Sequence, residues 1–364
     1  MIKKDIVELG EREGMRVDSV AKALHLLQEV RSWLPCTVEN IAAVLYPRLG
    51  ADKTEIESKV RACLDVLKHG NWVTEEDGKF RFLTHVERTF EQLVKGQFVG
   101  EGDRRELTSD VMKGVLKGLR TFNYKGIRTF NVLLLGDDEE VTSKGHLKLC
   151  FYSPLRSASQ KGLKESVMLK SLANPDTVYW ICKSDARFER GLERAKSIEK
   201  ALKEYGLKAP SSDELKTLDK YRRELDVLKN DDLSKFLIDA ASLGTIIYQG
   251  QETVLDGKKS LPEVFSEQMR DLAEELFTEF SHAAFHIEKD AHIGSILTWE
   301  GGRLPKVYSD LQLVDDQGSI LIDRPVASRV LTETRKRTAE GKNTGAELVE
   351  YFDSRPYGWD PRIV

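Results

Sequence analysis

The sequence predicts an α+β multidomain protein: an N-terminal winged helix-turn-helix, a small mixed sheet domain with an inserted antiparallel helical hairpin, and a helical and mixed C-terminal region. Three observations carry this expectation. The chain has 364 residues, and roughly 100 to 200 residues per domain makes that several domains. Apolar residues near the N-terminus recur at helical spacing and give way after residue 100 to short runs rich in Val, Ile, Leu, Phe and Tyr. Between two of those runs lies a long heptad-like stretch, 186–242. The expected divisions are 1–100, 101–260 with the hairpin at 186–242, and 261–364.

Val17, Val20, Ala21, Leu24, Leu27 and Val30 lie on one face of a first amphipathic helix. Thr37 can cap a second, which carries Val38, Ile41, Ala42 and Leu45 and stops at Pro47. A third begins at Asp52, with Glu55 placed to complete a capping-box-like pair. It buries Ile56, Val60, Cys63, Leu64 and Leu67, and Gly70 stands where a left-handed C-cap residue would. Trp72-Val73-Thr74, an acidic Glu75-Glu76-Asp77-Gly78 turn and alternating Lys79 to Leu83 then read as a hairpin. Three helices and a hairpin are the element order of a winged helix.

Strands are expected at 129–135, 146–152, 177–182 and 244–249, forming one sheet. The hairpin's first arm places Phe188, Leu192, Ala195, Ile198, Leu202 and Tyr205 on a seam, and its return arm Leu215, Leu218, Tyr221, Leu225 and Leu228. From Pro262 an amphipathic helix is expected through Ile287, followed by short strands around 293–299 and 311–321 and a helix at 327–339. Asp360-Pro361 resembles an N-cap and a first-turn proline three residues before the last. A helix opening there predicts a piece of a longer polypeptide.

Charge is polarised along the chain. The 56 Lys+Arg and 60 Asp+Glu give a net charge of -4, which excludes an overall basic nucleic-acid coat. Yet residues 111–170 hold 11 positive and 5 negative side chains, a balance of +6, leaving -10 for the remainder. Within them Lys113, Lys117, Arg120, Lys125 and Arg128 are interleaved with Phe122 and Tyr124. Cations that neutralise phosphates, beside aromatics that stack on bases, suit a nucleic-acid surface. A solvated sheet edge guarded by lysines fits the same pattern. The third helix of the winged-helix segment, by contrast, balances to zero charge over 52–69. Its neutrality favours packing or protein contact over phosphate tracking.

No catalytic residue is selected. A Gly-x-x-x-x-Gly-Lys-Ser/Thr phosphate loop is absent, and Gly250 to Ser260 has the wrong spacing for one. Glu279, His282 and His286 would share a face of the helix beginning near Pro262, with His292 as a third histidine. One such unit is more simply a packed or solvated helix face, so no metal and no cofactor are expected. Cys36, Cys63, Cys150 and Cys182 form no Cys-x-x-Cys pair and read as reduced thiols. The charged opening segment and the short apolar runs predict a cytoplasmic protein without membrane contact.

Several segments together resemble the large P-loop ATPase of the BREX bacteriophage-exclusion systems, the BrxC/PglY family. They are Asn71-Trp72, Phe80 to His85, the helix carrying Glu87 to Leu93, and Gly341 to Val349 through Pro356-Tyr357-Gly358-Trp359. The resemblance implies a region downstream of the ATPase domain, ending at the entry to a second winged helix. It implies no ATP chemistry for this chain, because the phosphate loop has no counterpart here. The function expected from it is a non-enzymatic scaffold or interaction region that assembles a phage-defence complex with other proteins, contacts DNA and self-associates. The alternative is a free-standing winged-helix DNA-binding regulator.

Overall fold

The computed structural model describes residues 4–48, 51–205, 211–285, 315, 319, 321–341 and 344–364. In chain order its first elements are α1 (Lys4–Val7), β1 (Glu11–Arg12), β2 (Met15–Arg16), α2 (Val17–Glu29), α3 (Val38–Val44), α4 (Lys53–His69), β3 (Val73–Glu76), β4 (Lys79–Phe82) and α5 (His85–Gly96). Next come α6 (Glu101–Leu116), β5 (Thr121–Tyr124), β6 (Arg128–Gly136), β7 (Glu139–Glu140), β8 (Leu147–Tyr152), α7 (Pro154–Ser159), α8 (Leu163–Ala173) and β9 (Thr177–Ile181). The remainder is α9 (Ala186–Tyr205), α10 (Ser212–Val227), α11 (Leu233–Ser242), β10 (Thr245–Tyr248), β11 (Gln251–Val254), α12 (Leu261–Leu276), α13 (Pro325–Ala339) and α14 (Gly345–Asp353). The protein is α+β, and the described residues form one mixed sheet and two small antiparallel ones. Its described residues form two compact units, 1–100 with 193–227, and 101–192 with 228–364.

In the first unit α2, α3 and α4 pool one apolar face each into a shared core. Val20, Leu24, Ile41, Val60, Leu64 and Leu67 are fully enclosed there, and Val73 and Phe80 of the β3–β4 hairpin close it. The helix starts follow local chemistry: Thr37 accepts from Asn40 N–H, and Asp52 from the amides of Thr54 and Glu55. Glu55 pairs with Lys59 instead of reaching back to the Asp52 amide, so no capping box forms. The expected left-handed C-cap is also displaced. Gly70 has φ -77, and Asn71 takes the left-handed conformation at φ 58. Glycine is needed at 70 for space, since a Cβ would stand 2.9 Å from the Trp72 ring.

Residues 193–227 join this unit through a partly buried ionic cluster. Arg194 forks between Glu91 of α5 (2.7 Å) and Glu224 of α10 (2.8 Å), and the Tyr221 hydroxyl donates to Glu91. The pairing of 194 with 224, and of Tyr205 with Glu214, makes α9 and α10 antiparallel. Ala195 and Ile198 are buried on the expected seam, whereas Leu215 of the return arm is exposed. Phe90 lies against Tyr221 at 4.5 Å and completes an apolar floor beneath the charges.

The second unit is built on a sheet of order β11-β10-β9-β8-β6-β5, with β7 paired to β6. Strands β6, β8 and β9 are parallel, and the rest pair antiparallel. All four expected strands lie in this sheet. Every residue of β9 is buried, as a strand covered on both faces requires. Cys150, Tyr152, Tyr179, Ile181 and Ile247 pack on Leu163 and Val167 of α8, while on α11 the Ala241 carbonyl accepts from the Trp180 indole.

The helix after Pro262 is shorter than its pattern implies. It stops at Leu276, and a 3-10 turn follows at Phe280–Ala283. The cause is tertiary: Glu279 N–H donates to the Pro356 carbonyl and the Glu279 carbonyl accepts from Trp359 Nε1, so its backbone groups serve the C-terminal segment instead of a helix. Phe352 and Trp359 stack at 4.7 Å beside them. The strand expected at 293–299 lies outside the described residues, as does most of that at 311–321.

Glu87 supplies a pH test. Burial alone would raise its carboxyl, but hydrogen bonds from both Arg81 nitrogens and from Thr84 N–H prevail and hold it at about 2, below the ordinary 4.5. A depressed carboxyl contributes stability above its ordinary pKa and loses it as pH falls toward the folded value. Glu87→Gln is therefore expected to cost on the order of 2 kcal/mol at pH 7. In thermal melts the gap from wild type should close between pH 4.5 and about 2. A gap independent of pH would show that the carboxylate charge contributes nothing.

Candidate functional site

The basic stretch singled out by the sequence begins on α6, crosses a 3-10 turn (Lys117–Leu119) and enters β5. Helix α6 buries Leu107, Val111, Met112 and Leu116 and leaves Lys113 exposed. Leu119 anchors the turn, so Lys117 and Arg120 project into solvent on either side of it. Strand β5 alternates: Thr121 and Asn123 face out, Phe122 and Tyr124 face in. Lys125 and Gly126, both at positive φ (55 and 71), make the tight turn into β6, with the Tyr124 carbonyl accepting from Ile127.

The structure divides the seven expected contact residues. Lys113, Lys117, Arg120 and Lys125 are exposed. Lys125 has Glu274 at 3.8 Å, and among the described residues the other three have no ion-pair partner. Phe122 and Tyr124 are 5% and 2% exposed and pack on Phe265 and Phe280, so neither offers a ring face to a base. Their expected stacking role is corrected by the strand's period of two, which turns both rings into the core. Arg128 is also committed elsewhere. One of its nitrogens binds Asp353, a second stands 3.9 Å from Asp360, and His146 shares Asp353 at 2.9 Å. Burial would raise the Asp353 carboxyl, yet His146 and Arg128 hold it below the usual range.

Downstream, four of the six cations are paired. Lys148 pairs with Asp176, Arg156 and Lys170 with Asp138, and Lys164 with Glu252. Lys144 and Lys161 are exposed with no ion-pair partner among the described residues, and Lys113, Lys117, Arg120 and Lys125 form the exposed run from α6 to the turn after β5. Beside it a groove of about 460 Å³ runs along β5 to α12. Its described charged lining residues are Lys125 and Arg270.

A second place of chemical interest, missed in the sequence, is the two-residue turn Asp137-Asp138 between β6 and β7, at the carboxyl end of β6. Both residues have positive φ (51 and 74), a conformation that non-glycine residues adopt at a cost. The carboxylates offset it. Asp137 accepts from Ser153 N–H and Oγ, and Asp138 from the Tyr152 hydroxyl, Arg156 and Lys170. Burial raises the Asp137 carboxyl despite those bonds. Ser153 Oγ donates to Asp137 and caps α7 by accepting from Arg156 N–H, so it acts as a cap and not as a nucleophile. The Gly-Asp-Asp-Glu run between two apolar segments was the available turn signal.

Among the described residues no group of three or more His, Cys, Asp or Glu could hold a metal ion. Glu279 and His282 stand outside a continuous helix yet meet at 3.2 Å, and Glu279 also binds Arg329 at 2.7 Å; His286 and His292 lie outside the described residues. All four cysteines are free and buried, and burial raises each thiol above its usual range, suppressing the thiolate. No described helix is long and apolar enough to cross a membrane.

Arg128→Ala strands Asp353 beside His146, so it should lower stability by about 3 kcal/mol. Lys113→Ala and Lys117→Ala should each stay within about 0.5 kcal/mol. Denaturant melts of the three variants decide this, and equal stability would mean that Arg128 is a surface cation like the others. No protein-family model matches the chain, and no solved structure matches it.

Proposed function

We propose that this chain is a non-catalytic interaction region of a BREX-type bacteriophage-resistance ATPase, which helps to assemble a defence complex and uses the α6–β5 face as its contact surface. The observation that carries the reading is the set Lys113, Lys117 and Arg120, exposed within eight residues and without an ion-pair partner among the described residues. Downstream, Lys148, Arg156, Lys164 and Lys170 are discharged by carboxylates; these three remain available to an anionic partner, as do Lys144 and Lys161 further along the stretch. The resemblance of the flanking segments to the BREX ATPase family supplies the biological setting. The order α2, α3, α4, β3, β4 around one core supports reading residues 1–100 as a winged helix-turn-helix.

In this reading contact with DNA is made to phosphates alone, since Phe122 and Tyr124 are buried. The free-standing regulator is less favoured for a specific reason. On α4 Lys53 pairs with Glu57, Lys59 with Glu55, and Arg61 and Lys68 with Glu75. A recognition helix would have to break those pairs before meeting a phosphate backbone.

The test is electrophoretic mobility of duplex DNA with wild type and with Lys113, Lys117, Arg120 and Lys125 changed to Glu. Binding that weakens steeply with salt and is lost on reversal is the expected result, since each phosphate contact adds about one unit to the salt slope. Equal binding by the reversed variant would remove DNA from this face, and no binding by either would assign the face to protein contact.

A further inference from the structure

Among the described residues, the strand nearest these cations is a sheet edge. In the sheet order β5 stands at one end, with β6 as its neighbour. The direction of its free groups follows from the pairing. Val132 N–H donates to the Arg120 carbonyl, which makes 120 and 132 a hydrogen-bonded pair. The register then places Thr121 opposite Asn131 and Asn123 opposite Thr129 at the alternate, non-bonded positions. Independently, the Asn131 carbonyl accepts from His146 N–H on the far side of β6, as a non-bonded position requires. The amides and carbonyls of Thr121 and Asn123 therefore point away from β6, and both residues are exposed.

Beside that edge the groove has an apolar floor, Leu119, Phe122, Pro262 and Phe265, and a cationic rim, Lys125 and Arg270. Natural edge strands are protected by charge, proline or a bulge. Here β5 contains neither proline nor charge, and the cations stand at its ends. An extended chain could bond to Thr121 and Asn123, lay alternate apolar side chains on the floor and present acidic ones to Lys117, Arg120, Lys125 and Arg270.

We propose that the β5 edge is a strand-addition site for an acidic extended peptide segment of a partner protein, with acidic and apolar side chains alternating. This rests on the reading of the α6–β5 face as a contact surface and names its partner class. A nucleic acid can use the cations but lacks the peptide donors and acceptors that match Thr121 and Asn123.

The experiment titrates a fluorescent alternating glutamate–valine decapeptide, and separately a DNA duplex, into the full chain. Variants are Asn123→Ala, Asn123→Pro and the double change Lys117→Glu with Arg120→Glu. Proline on an edge strand with its missing N–H facing solvent is compatible with folding. Expected for the peptide is unchanged binding by Asn123→Ala and at least about tenfold weaker binding by Asn123→Pro and by the charge-reversed protein. Hydrogen exchange on wild type should show the Thr121 and Asn123 amides slowed by the peptide, which keeps the test decisive should Asn123→Pro misfold. Equal binding by Asn123→Ala and a folded Asn123→Pro, or no slowing at those amides, overturns strand addition. DNA binding without peptide binding also overturns it while leaving the contact surface standing; binding of neither overturns both.

Discussion

The aromatic cluster beneath β5 and β6 sets the position of everything functional in the second unit. Phe130 stacks on Phe277 at 4.4 Å, Tyr124 meets Phe280 at 5.0 Å, and Phe122 meets Phe265 edge-on. Full burial of such rings contributes about 2 kcal/mol or more apiece, with a further increment from ring geometry. That energy fixes the rotation of β5. With the rings inward, Thr121, Asn123 and the flanking cations have one direction left, toward solvent. The cluster also explains the end of α12, because Phe277 and Phe280 enter the core only if the chain leaves the helix after Leu276.

Charge acts in two different ways within the units. Arg194 with Glu91 and Glu224, and Arg81 with Glu87, sit in the first unit with most of their polar atoms satisfied. In the second, Arg128 and His146 share Asp353, while Arg128 Nε and His146 Nδ1 are buried with no hydrogen-bond partner among the described residues. Partly buried ion pairs of this kind are costly to break and modest as net stabilisers, so their effect is to specify which segments meet. Lys113, Lys117 and Arg120 are the contrast. They meet no carboxylate among the described residues, and their energy becomes available to a partner.

The strained Asp137-Asp138 turn follows the same logic at smaller scale. Five side-chain hydrogen bonds hold two aspartates in a conformation they would otherwise leave. The carboxylates are consumed by that task, which separates this site from a catalytic pair despite the raised Asp137 carboxyl. Local strain marks a constraint here, and the hydrogen-bond partners identify the constraint as the junction of β6, β8 and α7.

Much of the fold was legible because its signals are local. The helical spacing of Val17 to Leu67, the capping chemistry of Thr37 and Asp52 and the apolar runs of β6, β8, β9 and β10 are each contained within a few residues. The basic bias of the candidate surface was equally local. Which of its residues face solvent was not, because Phe122 and Tyr124 look the same in sequence whether they stack on a base or on Phe265 and Phe280. Arg128 is likewise indistinguishable from Lys113 until Asp353, 225 positions away, is brought beside it. The sequence by itself determined where apolar and charged groups lie along each element. Only the tertiary structure decided which cations are spent and which are free, because a charge is neutralised by whatever folding places within a few ångströms of it.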